Sequence, residues 1–187
     1  MELIRYCVVK IMLNKTGIIS SIRLEKKINE LLLSTKQKGA VLECYEDIPC
    51  NPCGTSCPTK AITIEPDINA KPTIDYEKCT SCGVCVYHCP GLAIFVLDMN
   101  YSKENALFKI SYELLPIPEV GDFVKGISRA GKEICDVEVI KVLNGSRQDH
   151  TPLVSLSVPK EFVNDFITIK VVSKWKIRWF VDVQTLL

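Results

Sequence analysis

Eight of the chain's ten cysteines lie between Cys44 and Cys89, and four of them read Cys79-Thr-Ser-Cys82-Gly-Val-Cys85-Val-Tyr-His-Cys89-Pro90. Thiolates are soft ligands that favour zinc, copper(I) and iron–sulfur clusters. Three cysteines at successive two-residue steps wrap one face of an iron–sulfur cubane, and a fourth followed by proline ligates a second cluster. Such a run therefore predicts a second half. Shifted back by 32 residues, Cys82, Cys85, Cys89, Pro90, Ala93 and Ile94 land on Cys50, Cys53, Cys57, Pro58, Ala61 and Ile62. The internal repeat predicts two 4Fe–4S clusters and one-electron transfer of the bacterial ferredoxin type.

The repeat has one break. At the same offset Cys79 meets Asp47, while Cys44 stands three residues upstream, giving Cys44-x5-Cys50-x2-Cys53-x3-Cys57-Pro58. Three readings stay open: Cys44 completes the site through a longer loop, Asp47 supplies an oxygen ligand, or the corner is empty and the cluster is 3Fe–4S. Ligand softness favours Cys44. The segment Tyr45-Glu46-Asp47-Ile48-Pro49 is long enough to loop out, and Pro49 stiffens its exit.

Two other uses of cysteine fit less well. Four-cysteine zinc sites usually separate two C-x2-C pairs by a dozen or more residues. A disulfide framework suits short secreted chains of higher cysteine density, and no signal-peptide pattern is visible at Met1. The N-terminal apolar run Cys7–Leu13 is interrupted by Lys10 and is too short to span a membrane. A net charge of +1 gives no bulk electrostatic case for nucleic acid. These features predict a cytoplasmic protein with neither a membrane nor a nucleic-acid partner.

The elements that must position the cysteines fall into three blocks. In residues 1–41, Ile4–Leu13 reads as a strand. A helix capped by Ser20 or Ser21 follows, with Ile22, Leu24, Ile28, Leu31 and Leu32 on its apolar face. Gly39, preceded by Lys36 and Lys38, reads as its stop. Residues 42–97 form the cluster module. Each half predicts a ligand loop, a short helix opening after Cys-Pro, and a strand, Ala61–Ile64 or Ala93–Val96. Ile48, Ile62, Ile64, Val84, Val86, Leu92 and Ile94 would exclude water, and Gly54, Gly83 and Gly91 would let backbone N–H groups approach sulfide. Between the halves, Glu65–Lys78 reads as a hairpin-like excursion.

Residues 98–187 are β-rich. Strands are predicted at Ala106–Tyr112, from Gly121-Asp122-Phe123-Val124, at Ile134–Leu143, Leu153–Val158, Ile167–Val172 and Trp175–Val183, with turns at Ala130-Gly131 and Asn144-Gly145. Pro159 could open a short helix through Phe166. In the last strand Trp175, Ile177, Trp179, Val181 and Val183 share one face, against Lys174, Lys176, Arg178 and Asp182. The expected class is α+β: a ferredoxin-like two-cluster 4Fe–4S module followed by a small β-rich, barrel-like domain. No Ser/His/Asp set and no glycine-rich nucleotide loop is present, so a non-catalytic electron-transfer role is expected. Cys7 and Cys135 read as small buried hydrophobes, His88 as a group that shields a cluster, and His150 as exposed.

The stretch Glu43-Cys44-Tyr45-Glu46-Asp47-Ile48-Pro49-Cys50-Asn51-Pro52-Cys53-Gly54-Thr55-Ser56-Cys57-Pro58, followed later by Val158-Pro159-Lys160-Glu161, resembles a known family. It is similar to the iron–sulfur proteins that accompany FAD-dependent amino-acid dehydrogenases of the proline, hydroxyproline and opine type. The resemblance runs from about Leu24 to Ile169 and is most specific at Cys44–Pro58. It implies that Cys44 is a ligand and that the partner is an FAD-containing dehydrogenase subunit oxidising a C–N bond. By exchange between halves, Cys44, Cys50, Cys53 and Cys89 would hold one cluster, and Cys57, Cys79, Cys82 and Cys85 the other. Two rivals remain. A free-standing ferredoxin-type carrier would be shorter and more acidic. A cluster-based redox sensor would want a DNA-binding element, and none is evident.

Overall fold

The computed structural model describes residues 18, 21–45 and 47–172. The expected strand Ile4–Leu13, Cys7, Ser20 and the closing strand Trp175–Val183 lie outside them.

Helix α1 (Ser21–Leu32) buries Leu24, Ile28 and Leu31, while Ile22 points to solvent. Its apolar face is thus narrower than the sequence suggests. The helix ends six residues before Lys38, and just beyond its end the Ser34 hydroxyl donates to the Leu31 carbonyl at 2.6 Å. Gly39 is not its stop. It lies inside strand β1 (Lys38–Leu42), where an added Cβ would sit 2.8 Å from the Tyr76 ring. Close approach of that ring, rather than a helix cap, requires glycine here.

The cluster module contributes α2 (Pro52–Thr55), β2 (Ile62–Thr63), β3 (Thr73–Ile74), α3 (Val84–Tyr87) and β4 (Ile94–Asp98). β2 and β3 pair antiparallel across the predicted excursion. Beyond them run β5 (Asn105–Ser111), β6 (Phe123–Ser128), β7 (Glu133–Leu143), β8 (Leu153–Pro159), a single 3-10 turn (Lys160–Phe162) and β9 (Phe166–Lys170). The helix expected from Pro159 shrinks to that turn. The remaining tail strands fall within a residue or two of their predicted positions.

Seven strands form one antiparallel sheet in the order β1-β4-β5-β8-β7-β6-β9. The sheet crosses the division at residue 97, which falls inside β4. It also rolls. Phe108 of β5 meets Phe166 of β9 edge-on at 4.9 Å between centroids, although four steps of strand order separate them. Phe95 of β4 stacks on the same Phe108 at 5.3 Å. Residues from all seven strands and from α1 share the enclosed core.

Strand alternation gives the sheet its second face. Val41, Phe95 and Leu97 point into the rolled core. Their neighbours Ala40, Leu42, Ile94 and Val96 point the other way, into a separate apolar cluster with Cys53, Cys79, Cys85, Val86 and Leu153. The cysteine loops are packed on the back of the sheet. The molecule is α+β and mostly sheet. Among the described residues no helix is long and apolar enough to cross a membrane.

Candidate iron–sulfur centre

The internal repeat reappears as a repeated turn. The Cys57 carbonyl accepts from the Lys60 N–H at 3.2 Å, and its sulfur accepts from the Ala61 N–H at 3.2 Å. Thirty-two residues on, the Cys89 carbonyl accepts from the Leu92 N–H at 3.1 Å, and its sulfur from the Ala93 N–H at 3.4 Å. Lys60 and Leu92 both adopt the left-handed region, at φ 51° and 48°. This turn corrects the expectation of a helix after each Cys-Pro. The short helices precede the dipeptides, α2 between Cys50 and Cys57 and α3 between Cys82 and Cys89. After Pro58 and Pro90 the chain must reverse to present an N–H to sulfur, and the left-handed residue breaks any helical path.

Cys57, Cys79, Cys82 and Cys85 line one cavity, walled by Ala40, Ile62 and Val96. Burial pushes the Cys85 thiol up to about 12, helped by the nearby Cys79, Cys82, Cys57 and Cys53. Burial likewise lifts Cys53 to about 11; Cys89, Cys50 and Cys44 add to this, against a backbone N–H bond at Gly54. Cys44 is raised by burial, then by Cys89 and Cys50, with Lys71 and Lys27 opposing. Cys44, Cys53 and Cys85 thus hold their protons more firmly than a free thiol and need cationic charge nearby to ionise. Cys57 runs the other way. Burial works upwards there, but N–H groups of Ala61, Thr59 and Ile62 and the Thr59 hydroxyl outweigh it and lower the thiol.

The donor set suits a polynuclear cluster. Four cysteines line one volume, and thiolate sulfurs are the soft ligands such a cluster takes. The Ser81 hydroxyl lines the same cavity, is buried, and has no hydrogen-bond partner; the Ser56 hydroxyl beside Cys57 is likewise unpartnered. Sulfide and thiolate sulfurs accept such bonds, and these bonds help set cluster potential.

The other predicted groups sort themselves by place. Asp47 is turned outward and pairs with Lys71 at 3.0 Å. Of the expected apolar shell, Ile62, Val86 and Ile94 are buried, whereas Ile48 and Leu92 are largely exposed. Gly83, at φ 89°, is demanded twice over, because an added Cβ would lie 2.7 Å from Leu153 Cδ2. Gly91 faces open space and carries no such demand. His88 and His150 are exposed, and Cys135 is half-buried. Cys82 is the exposed member of the eight cysteines.

Lys109 was not visible as a site residue. Its Nζ donates to the Ser81 carbonyl at 2.6 Å, inside the Cys79–Cys82 loop. Burial lowers its ammonium pKa, while Cys82 pulls it up. In sequence it is only an outward position of an alternating strand.

The 4Fe-4S dicluster domain family matches residues 48–93. Over 87 residues the chain is 32% identical to the polyferredoxin-like subunit of an aliphatic sulfonate oxidoreductase from Pyrococcus furiosus, covering 46% of this chain and 47% of that one. Over 60 residues it is 37% identical to the ferredoxin-type protein NapF of Haemophilus influenzae, covering 31% and 32%. The chain therefore spans about half the length, or less, of these curated relatives. No solved structure matches it. Iron–sulfur electron transfer of the ferredoxin type, through 4Fe–4S clusters, is the chemistry of the matched region.

Proposed function

We propose that the chain is the electron-transfer subunit of an oxidoreductase complex. In this reading Cys44, Cys50, Cys53 and Cys89 ligate one 4Fe–4S cluster, and Cys57, Cys79, Cys82 and Cys85 the other. The observation that carries it is that Cys57 of the first half lines one cavity with Cys79, Cys82 and Cys85 of the second, while Cys89 of the second half lies near Cys44 and Cys53 of the first. That crossed sharing is what the fourth cysteine of each run is for. Asp47, engaged by Lys71 on the surface, does not compete for the first corner.

The partner we propose is an FAD-containing dehydrogenase subunit acting on an amino-acid-like C–N bond. The Cys44–Pro58 stretch supports it, and one relative is itself named as a subunit of an oxidoreductase. A reduced flavin holds two electrons and each cluster accepts one. The cysteine loops pack on the back of the sheet, Ala40 and Val96 wall the cavity lined by four of the cysteines, and Cys82 offers a route to the surface. The β-rich tail would keep the module at fixed range from the flavin.

Native mass spectrometry of the complex purified anaerobically from its source tests the reading. A stoichiometric flavoprotein bound to a chain carrying about eight iron and about eight sulfide supports it. A free chain with bound zinc and no acid-labile sulfide overturns the cluster assignment. A free chain with both clusters leaves a mobile carrier instead of a subunit.

A further inference from the structure

Lys109 stands on β5 with its side chain on the outer face, cross-strand from Val96 on one side and Ser155 on the other. It reaches off the sheet into the loop between two proposed ligands, Cys79 and Cys82, and donates to the Ser81 carbonyl. Ser81 needs holding. It is a non-glycine residue at φ 56°, it is buried, and its hydroxyl lines the cavity shared by Cys57, Cys79, Cys82 and Cys85. The left-handed region is unfavourable for a residue with a Cβ and persists where surroundings enforce it.

We propose that Lys109 is a positioning residue for the second cluster: it clamps the Cys79–Cys82 loop through Ser81 and keeps a positive charge beside that cluster, raising its reduction potential. This rests on the assignment of Cys57, Cys79, Cys82 and Cys85 to one cluster. Reduction adds a negative charge to the cluster, and a nearby cation stabilises the reduced form more than the oxidised one. A half-buried cation is screened less than a surface one. The other charges facing Lys109 are Lys141, Asp98 and Lys38. Lys141 and Lys38 are exposed, so they bear on the cluster through solvent. On the first cluster's side, Lys71 is met by Asp47, while half-buried Lys27 also acts on Cys44.

Potentiometric EPR titration of the anaerobic full chain decides, with Lys109→Met, Lys109→Gln, Lys109→Arg and Lys141→Met compared with the parent. Iron and sulfide are measured first. A parent without about eight of each sinks the ligand assignment itself, before any potential is read. With content intact, Lys109→Met and Lys109→Gln should lower one of the two midpoint potentials and leave the other in place. Lys109→Arg should stay near the parent, and Lys141→Met should move neither by a comparable amount. The tuning role is overturned if both potentials are unmoved in Lys109→Met, if both fall together, or if Lys109→Arg falls as far. It is also overturned if Lys109→Met and Lys109→Gln simply lose the second cluster, which leaves a structural clamp alone.

Discussion

Arg129 pairs with Glu43 across 86 residues of chain, and each side chain is only 11% exposed. Glu43 directly follows β1 and precedes Cys44; Arg129 directly follows β6. The same guanidinium donates to the Asn164 carbonyl at 3.1 Å and to the Phe166 carbonyl at 2.9 Å, at the head of β9. One side chain thus ties together β1 and β9, the two edge strands of the rolled sheet. It also anchors the backbone next to the proposed ligand Cys44.

Breaking that pair from the arginine side should be severe. Burial raises the Glu43 carboxyl and Arg129 counteracts it, so Arg129→Ala leaves a buried carboxylate without its partner. Such a loss is worth about 3–5 kcal/mol. Glu43→Gln leaves the guanidinium without its anion, but an amide oxygen and the Asn164 and Phe166 carbonyls still accept from it, so this should be the milder change. Urea unfolding of the anaerobic protein, followed by circular dichroism, should rank them in that order.

Cys44→Ser should convert one cluster to a 3Fe–4S form or lose it, whereas Asp47→Asn should leave both cubanes intact. Asp47 loses only an exposed ion pair, worth about 0–1 kcal/mol. EPR of the anaerobic proteins separates the two outcomes. A 3Fe–4S signal already present in the parent and unchanged by Cys44→Ser would rule Cys44 out as a ligand.

The two cluster-loop glycines should respond oppositely. Gly83→Ala meets both a left-handed backbone and the Leu153 methyl, and should destabilise by about 1–3 kcal/mol. Gly91→Ala meets nothing within 4 Å and should be tolerated. Thermal unfolding with iron content as a second readout checks both. Equal tolerance would show that the loop at Gly83 adapts.

Phe108 lies at the centre of the aromatic contacts between β4, β5 and β9. It is 1% exposed, so Phe108→Ala should cost about 3–5 kcal/mol. The rolled sheet should loosen, visible as hydrogen exchange appearing in β9 as well as in β5.

Cys135 should alkylate slowly at neutral pH. Burial raises its thiol, and Asp136 and Glu161 raise it further. A raised thiol pKa means less thiolate at any given pH below it, so iodoacetamide labelling should climb only in the alkaline range. Peptide mapping isolates this site from the other cysteines. Rapid labelling at pH 7 would contradict it.

The parts of the structure that were readable in the sequence are those whose logic is local. The cysteine spacing from Cys79 to Cys89, the same spacing from Cys50 to Cys57, and the alternation of Ala106, Phe108 and Ile110 each work within one loop or strand. What escaped was set at a distance. Gly39 looks like a helix stop until Tyr76 is laid against it. The helix expected after each Cys-Pro loses to a turn that serves a sulfur atom. Glu43 with Arg129, and Lys109 with Ser81, are 86 and 28 residues apart and leave no trace in any window.

β4 is a wall with two tenants. Ile94 and Val96 face the cysteines, and Phe95 and Leu97 face the rolled core. The interval between Cys89 and Phe95 is therefore counted from both ends, once by a sulfur that takes the Ala93 N–H and once by a ring that stacks on Phe108. A single residue inserted there would invert the strand, sending Phe95 and Leu97 toward the cysteines and leaving Ile94 and Val96 to fill their places in the core. Length variation should be tolerated in the turn after Asp98 and refused between Cys89 and Phe95.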